Sequence, residues 1–263
     1  MTEPAMTEPS MTQSARPVLS ARGLAKSFGA VVAAADVTIE VPAGQRLCLI
    51  GSNGAGKTTF VNMVTGYLKP DGGTIALDGE PILGLGPRQI ARKGICRSFQ
   101  IPQLCVELTM RENMLVACAA AAPTGLSFWR DPGSDGQQAR ADDLIARFGL
   151  APFADRPVSE LPGGVRKLLD IAMALTRKPR LLLLDEPTSG VSAEEKFPAM
   201  DRVMEAIAGE AATVVFVEHD MDIVRGYADR VIAFYSGRVI ADGGADTVLA
   251  DGEVKRYVTG DAA

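Results

Sequence analysis

Histidine is almost absent from this 263-residue chain, with His219 its only example. Cysteine is also scarce: Cys48, Cys96, Cys105 and Cys118 are scattered, and no pair has C-x-x-C spacing. That argues against a zinc site. The four read as reduced thiols of a cytoplasmic protein, with Cys48 a small buried side chain in a strand. No apolar run approaches the roughly 20 residues that span a bilayer. The longest candidates, residues 114–122 and 181–184, are too short. A role at a membrane therefore requires docking on a partner. Basic stretches are missing too, and the net charge is −5, which argues against a nucleic-acid partner. Residues 1–16 repeat Met-Thr-Glu-Pro without an apolar centre, so they are expected to be disordered rather than a signal peptide. Met1, Met6 and Met11 each remain open as the true start.

What is present is a 47% hydrophobic composition, enough for a substantial core in one large domain or two small ones. Residues 18–21, 37–41, 45–50 and 74–77 read as strands, separated by turn chemistry such as Pro42-Ala43-Gly44 and Asp78-Gly79. From about residue 101 the pattern turns helical. Thr109 and Glu112 fit a capping box ahead of a helix over 110–122. Residues 123–136 read as a loop whose Trp129 either packs locally or touches a partner. Helices follow over 137–148 and after Gly163-Gly164, the latter with Leu168, Ile171, Ala172 and Leu175 on one face. Strands return at 181–184, 214–217 and 231–234. The expected fold class is α/β: a βα phosphate-binding core carrying a helical insertion over about 101–176.

The chemistry concentrates first at Gly51-Ser52-Asn53-Gly54-Ala55-Gly56-Lys57-Thr58, which fits G-x-x-x-x-G-K-[ST] without a mismatch. An apolar strand precedes it and a helix over 58–64 follows. Gly51, Gly54 and Gly56 let the backbone wrap phosphates, and the loop N–H groups and helix dipole favour the anion. Lys57 can reach the outer phosphates and Thr58 can sit on Mg²⁺. The second concentration is Leu181-Leu-Leu-Leu-Asp185-Glu186, an apolar strand ending in two carboxylates. Asp185 is placed to hold Mg²⁺ and Glu186 to polarise a water against the terminal phosphate. Alone, this pattern is also that of any strand with an acidic turn.

Together these motifs resemble the ATP-binding-cassette (ABC) ATPases, over about residue 18 to the C-terminus. The resemblance implies a P-loop NTPase core with an antiparallel β subdomain and a helical insertion, within a domain over 17–263. It implies ATP and Mg²⁺ as ligands, with Thr59 joining the phosphate loop. Phe28 falls where the family stacks an aromatic on adenine; a core aromatic near a turn is the alternative. Gln100, in Arg97-Ser-Phe-Gln100, matches the glutamine that senses Mg²⁺ and the membrane partner. His219, in Val217-Glu-His-Asp220, matches the histidine at the γ-phosphate.

Two departures stand out. Leu161-Pro-Gly-Gly-Val165 takes the place of Leu-Ser-Gly-Gly-Gln, so Pro162 removes a hydroxyl and an N–H while Gly163 and Gly164 remain at a helix start. Ser192 stands where the family has Asp in the loop after the glutamate. Within the family, residues 97–104, 108–113 and 218–221 and the long loop near 123–136 look like the branched-chain amino-acid importer branch. That implies an ATPase subunit working with permease subunits and, indirectly, a secreted binding protein, peripheral at the cytoplasmic face of the inner membrane. The altered signature points to a second, different ATPase subunit, a heterodimer. A lipopolysaccharide-export ATPase and a soluble non-transport cassette protein are the alternatives.

Overall fold

The computed structural model of the chain describes residues 16–122 and 135–260. The expected disorder therefore lies outside the described residues except for Arg16, and so do Trp129 and positions 123–134 of the expected loop. The elements run β1 (Leu19–Phe28), β2 (Val31–Val41), β3 (Arg46–Gly51), α1 (Lys57–Val64), β4 (Gly72–Leu77), β5 (Glu80–Pro81), α2 (Pro87–Lys93), β6 (Ile95–Ser98), α3 (Met110–Ala121) and α4 (Asp135–Arg147). They continue with α5 (Gly163–Leu175), β7 (Leu181–Asp185), α6 (Lys196–Ala208), β8 (Thr213–Val217), α7 (Met221–Tyr227), β9 (Arg230–Tyr235), β10 (Arg238–Gly243) and α8 (Ala245–Ala250).

A six-stranded sheet orders as β10-β9-β3-β8-β7-β6, parallel except where β10 runs against β9. Its inner strands read as unbroken apolar runs because both of their faces are buried. Side chains alternate across the sheet. Leu47, Leu49, Leu181, Leu183, Val215, Val217 and Ile232 join a core with α1 and the antiparallel sheet β2-β1-β4-β5. Cys48, Ile50, Leu182, Leu184, Val214 and Phe216 join the core beneath the helices that follow β6.

The hairpin β1–β2 is longer than the expected strands over 18–21 and 37–41. Phe28 pairs with Val31 across a tight turn at Gly29, and the ladder carries register shifts near Ala21 and Leu24. Backbone pairing, not apolar alternation, holds residues 22–28. The expectation also omitted α2, β6 and β10. β6 has four residues and one is Arg97, while α2 buries Ile90 alone, so neither shows a hydrophobic period.

The capping box forms as expected: Glu112 N–H donates to Thr109 Oγ1 at 3.2 Å, and Thr109 N–H donates to Glu112 Oε2 at 2.7 Å. Gly136, expected in the loop, lies inside α4 instead. Leu168, Ile171, Ala172 and Leu175 are buried on α5, and Lys167 and Asp170 are buried beside them. No described helix is long and apolar enough to cross a membrane.

Candidate active site

The phosphate loop leaves the C-terminal end of β3, an interior strand, and enters α1. Ligands of open parallel sheets collect at such an edge. Two loop glycines are demanded by the protein itself. A Cβ on Gly51 would lie 2.5 Å from the Phe234 carbonyl oxygen, and one on Gly56 would lie 2.7 Å from that of Ala33. Gly54 faces open space, so its bare backbone is the one left free for a ligand to approach.

Lys57 is buried, and its Nζ donates to the carbonyls of Gly51 at 2.5 Å and Ser52 at 3.1 Å. Burial lowers its pKa, against the pull of Glu186 and Asp185. Gly56 caps α1 with no side-chain hydrogen bond, and its first turn holds no acidic residue. The arrangement suits an anion: a cation held only by carbonyls stands beside an uncapped helix start.

A cleft of about 150 Å³ brings together Asn53, Gly54, Ala55, Gly56, Lys57, Thr58, Thr59, Gln100, Asp185, Glu186 and His219. Four sequence segments far apart in the chain thus converge. Gln100 Nε2 donates to Glu186 Oε2 at 3.1 Å, and His219 Nε2 lies 3.3 Å from Glu186 Oε1. Glu186 adopts φ +50°, an uncommon conformation for a side chain with a Cβ. Its N–H donates to Val217 O at 3.0 Å, and its carbonyl accepts from Ser189 N at 3.0 Å. Asp185, at the end of β7, accepts from Arg97 Nη2 at 2.8 Å.

Several of these partners escaped the sequence reading. Lys167, with 1% of its surface exposed, donates from Nζ to the Asp185 carbonyl at 2.5 Å and the Phe99 carbonyl at 2.7 Å. Phe99 N–H donates to Asp170 Oδ2 at 2.9 Å, and burial raises the pKa of Asp170 to about 6. Helix α5 thereby grips the backbone on both sides of the cleft floor. Glu218 is buried and takes hydrogen bonds from Thr188 and from the His219 N–H. The available signal for Lys167 and Asp170 was charge set directly beside an apolar helical stripe.

Other expected residues lie elsewhere. Phe28 sits at the hairpin tip, half exposed and outside the cleft lining, with Lys26 Nζ 5.5 Å from its ring centroid. Gly163 and Gly164 start α5 against Gly190 and Val191, also outside the cleft of their own chain. Pro162 is the N-cap, exposed, and makes no side-chain cap bond.

Residues 34–189, more than half of the chain, match the family described as ABC transporter. The high-affinity branched-chain amino acid transport ATP-binding protein LivG of Escherichia coli (strain K12) is 36% identical over 253 residues, covering 94% of this chain and 99% of that protein. BraF of Pseudomonas aeruginosa, with the same description, is 34% identical over the same shares. Among solved structures, the ADP conformation of MJ1267, an ATP-binding cassette of an ABC transporter, superposes with a TM-score of 0.81 at 31% identity, covering 91% of this chain and 97% of that one. With the phosphate loop and both carboxylates in one cleft, and relatives matching over nearly their whole length, this chain belongs to the ABC transporter family as an ATP-binding cassette.

Proposed function

We propose that this chain is the ATP-hydrolysing subunit of an importer that takes up branched-chain amino acids or a related small polar or organic-acid substrate. The observation that carries the reading is the convergence of Lys57, Gln100, Asp185, Glu186 and His219 on one cleft. The near full-length likeness to LivG and BraF supports the substrate class.

Lys57 and the backbone N–H groups from Gly54 to Thr59 hold the triphosphate by charge and hydrogen bonding. Thr58, Gln100 and Asp185 are the residues that would hold Mg²⁺, which neutralises charge on the phosphate oxygens when bound. Glu186 orients and polarises the attacking water, and Gln100 and His219 fix its carboxylate. Phe28 stacks on the adenine from the hairpin tip.

The chain works at the cytoplasmic face of the inner membrane through separate permease subunits, with a secreted binding protein upstream. Residues 100–108 form the permease contact, and Ile101 and Val106 stand exposed there. A second, different ATPase subunit completes the dimer. Gly163 and Gly164, at the start of α5 and outside their own cleft, are free to meet its nucleotide.

The test is Glu186→Gln in the assembled transporter. Nucleotide binding should persist while turnover falls by roughly a hundredfold or more, as for loss of a water-positioning carboxylate. Turnover equal to the parent would remove Glu186 from this role.

A further inference from the structure

The Arg97 side chain has no part in the mechanism above, yet it occupies the carboxylate expected to hold the metal. Its Nη2 donates to Asp185 Oδ2 at 2.8 Å and its Nη1 to Asn62 Oδ1 at 2.6 Å. The pair is nearly dry, with side chains 9% and 8% exposed. Sheet register creates it. Arg97 pairs with Leu183 in the parallel ladder, so Asp185 lies two residues further along the neighbouring strand, on the same face. That face carries Ile95 and Leu183 into the core shared with α1, which brings Asn62 into reach. The guanidinium also stacks on Phe99, with Cζ 5.0 Å from the ring centroid. Its planar fork reaches both oxygens while lying against the ring. Lys57 and Lys167 also lie near Asp185, but their Nζ atoms bond backbone carbonyls.

We propose that Arg97 is the resident counter-ion of Asp185, and that it makes cation binding conditional on nucleotide. Asp185 and Glu186 are adjacent carboxylates at one strand end. Without Arg97 their charge would be opposed only by Lys57 and Lys167, which are tied to backbone carbonyls, and the empty cassette would hold a free divalent cation more tightly. With Arg97 in place, a cation must compete with a bonded guanidinium. The phosphates of a bound nucleotide tip that competition, because they add negative charge and further oxygen ligands. Arg97 is a positioning residue here, acting through Asp185. The inference rests on the reading of Asp185 as the metal carboxylate.

The experiment uses the full purified chain and two readouts. One is Mn²⁺ binding without nucleotide, followed by the electron paramagnetic resonance signal of free Mn²⁺. The other is the Mg²⁺ midpoint for binding a fluorescent ATP analogue. Arg97→Gln should bind Mn²⁺ without nucleotide at least about tenfold more tightly than the parent and lower the Mg²⁺ midpoint, since an opposite charge at bonding distance is worth more than one decade in a binding constant. Adding Asp185→Asn should abolish the gain. Arg97→Lys keeps the charge and should bind nucleotide-free Mn²⁺ no better than the parent. Parent-like behaviour of folded Arg97→Gln in both readouts overturns the proposal. If that variant does not fold, a gain of nucleotide-free Mn²⁺ binding in Arg97→Lys overturns it instead. Asp185→Asn alone separates the two levels. An unchanged Mg²⁺ midpoint there overturns the reading of Asp185 itself; a raised midpoint alongside an inert Arg97→Gln overturns only the role of Arg97.

Discussion

The Thr188 hydroxyl donates to Glu218 Oε1 at 2.6 Å, joining the loop after Glu186 to the residue just before His219. The same oxygen takes the Thr188 N–H at 3.1 Å, and Oε2 takes the His219 N–H at 3.0 Å. One buried carboxylate thus sets two active-site loops. Glu218→Ala strands three donors and should cost about 3 kcal/mol or more of stability. Glu218→Gln keeps an acceptor for Thr188 and should cost about half as much. Denaturant unfolding of both variants checks the order. Equal stability of parent and alanine variant would show that these bonds hold nothing.

Asp170 should make the cassette less stable as pH rises. Burial lifts its carboxyl from the ordinary 3.8 to about 6 in the folded state. Between those values the folded chain holds the proton more tightly than the unfolded one, so stability is lost as pH climbs and is fully lost above about 6. The loss amounts to about 3 kcal/mol at most, from a shift of about two units. Asp170→Asn keeps the acceptor for the Phe99 N–H and should remove this dependence. Unfolding free energies of the two proteins between pH 4 and 7 should diverge. Parallel curves would contradict the burial argument.

The glycines of the phosphate loop should separate by mechanism. Gly51→Ala drives a Cβ to 2.5 Å from the Phe234 carbonyl, so it should cost about 2–4 kcal/mol by overpacking and backbone strain. Gly54→Ala meets no atom within 4 Å and pays only for φ +80°, about 1–2 kcal/mol. Thermal melts without nucleotide measure the difference. Equal costs would mean that the contact at Phe234 relaxes freely.

Pro162 should leave the two ATP sites of the assembled transporter unequal. It lies exposed at the α5 N-cap with no hydroxyl to offer a nucleotide across the dimer. A missing charge-assisted hydrogen bond is worth roughly 1.5–3 kcal/mol, or about tenfold to over a hundredfold in rate if it falls on the transition state. Pro162→Ser, alone and with Val165→Gln, should speed hydrolysis at the partner's site. Two sites already equal in the parent, and unmoved by these changes, would show that Gly163 and Gly164 suffice.

Legibility followed chain separation. The phosphate loop needs eight consecutive residues, and the carboxylates need one apolar strand, so residues 51–58 and 181–186 announced the chemistry without any fold. The capping box at Thr109 and Glu112 and the apolar face of α5 were legible for the same reason: both are periods within one helix. The long hairpin β1–β2 was not, because residues 22–28 are held by ladder bonds to a partner strand and not by a hydrophobic pattern of their own.

By itself, then, the sequence determined a phosphate-binding α/β core, the cluster of candidate residues and the altered signature at Pro162, all of them local patterns. Only the tertiary structure decided that Asp185 is already bonded by Arg97, 88 residues away, that Lys167 buries its charge among carbonyls, and that Gly51 answers to Phe234. These contacts arise from sheet register and from which face of a strand meets α1 or α5. A one-residue slip would turn Arg97 to the opposite face and dissolve the pair.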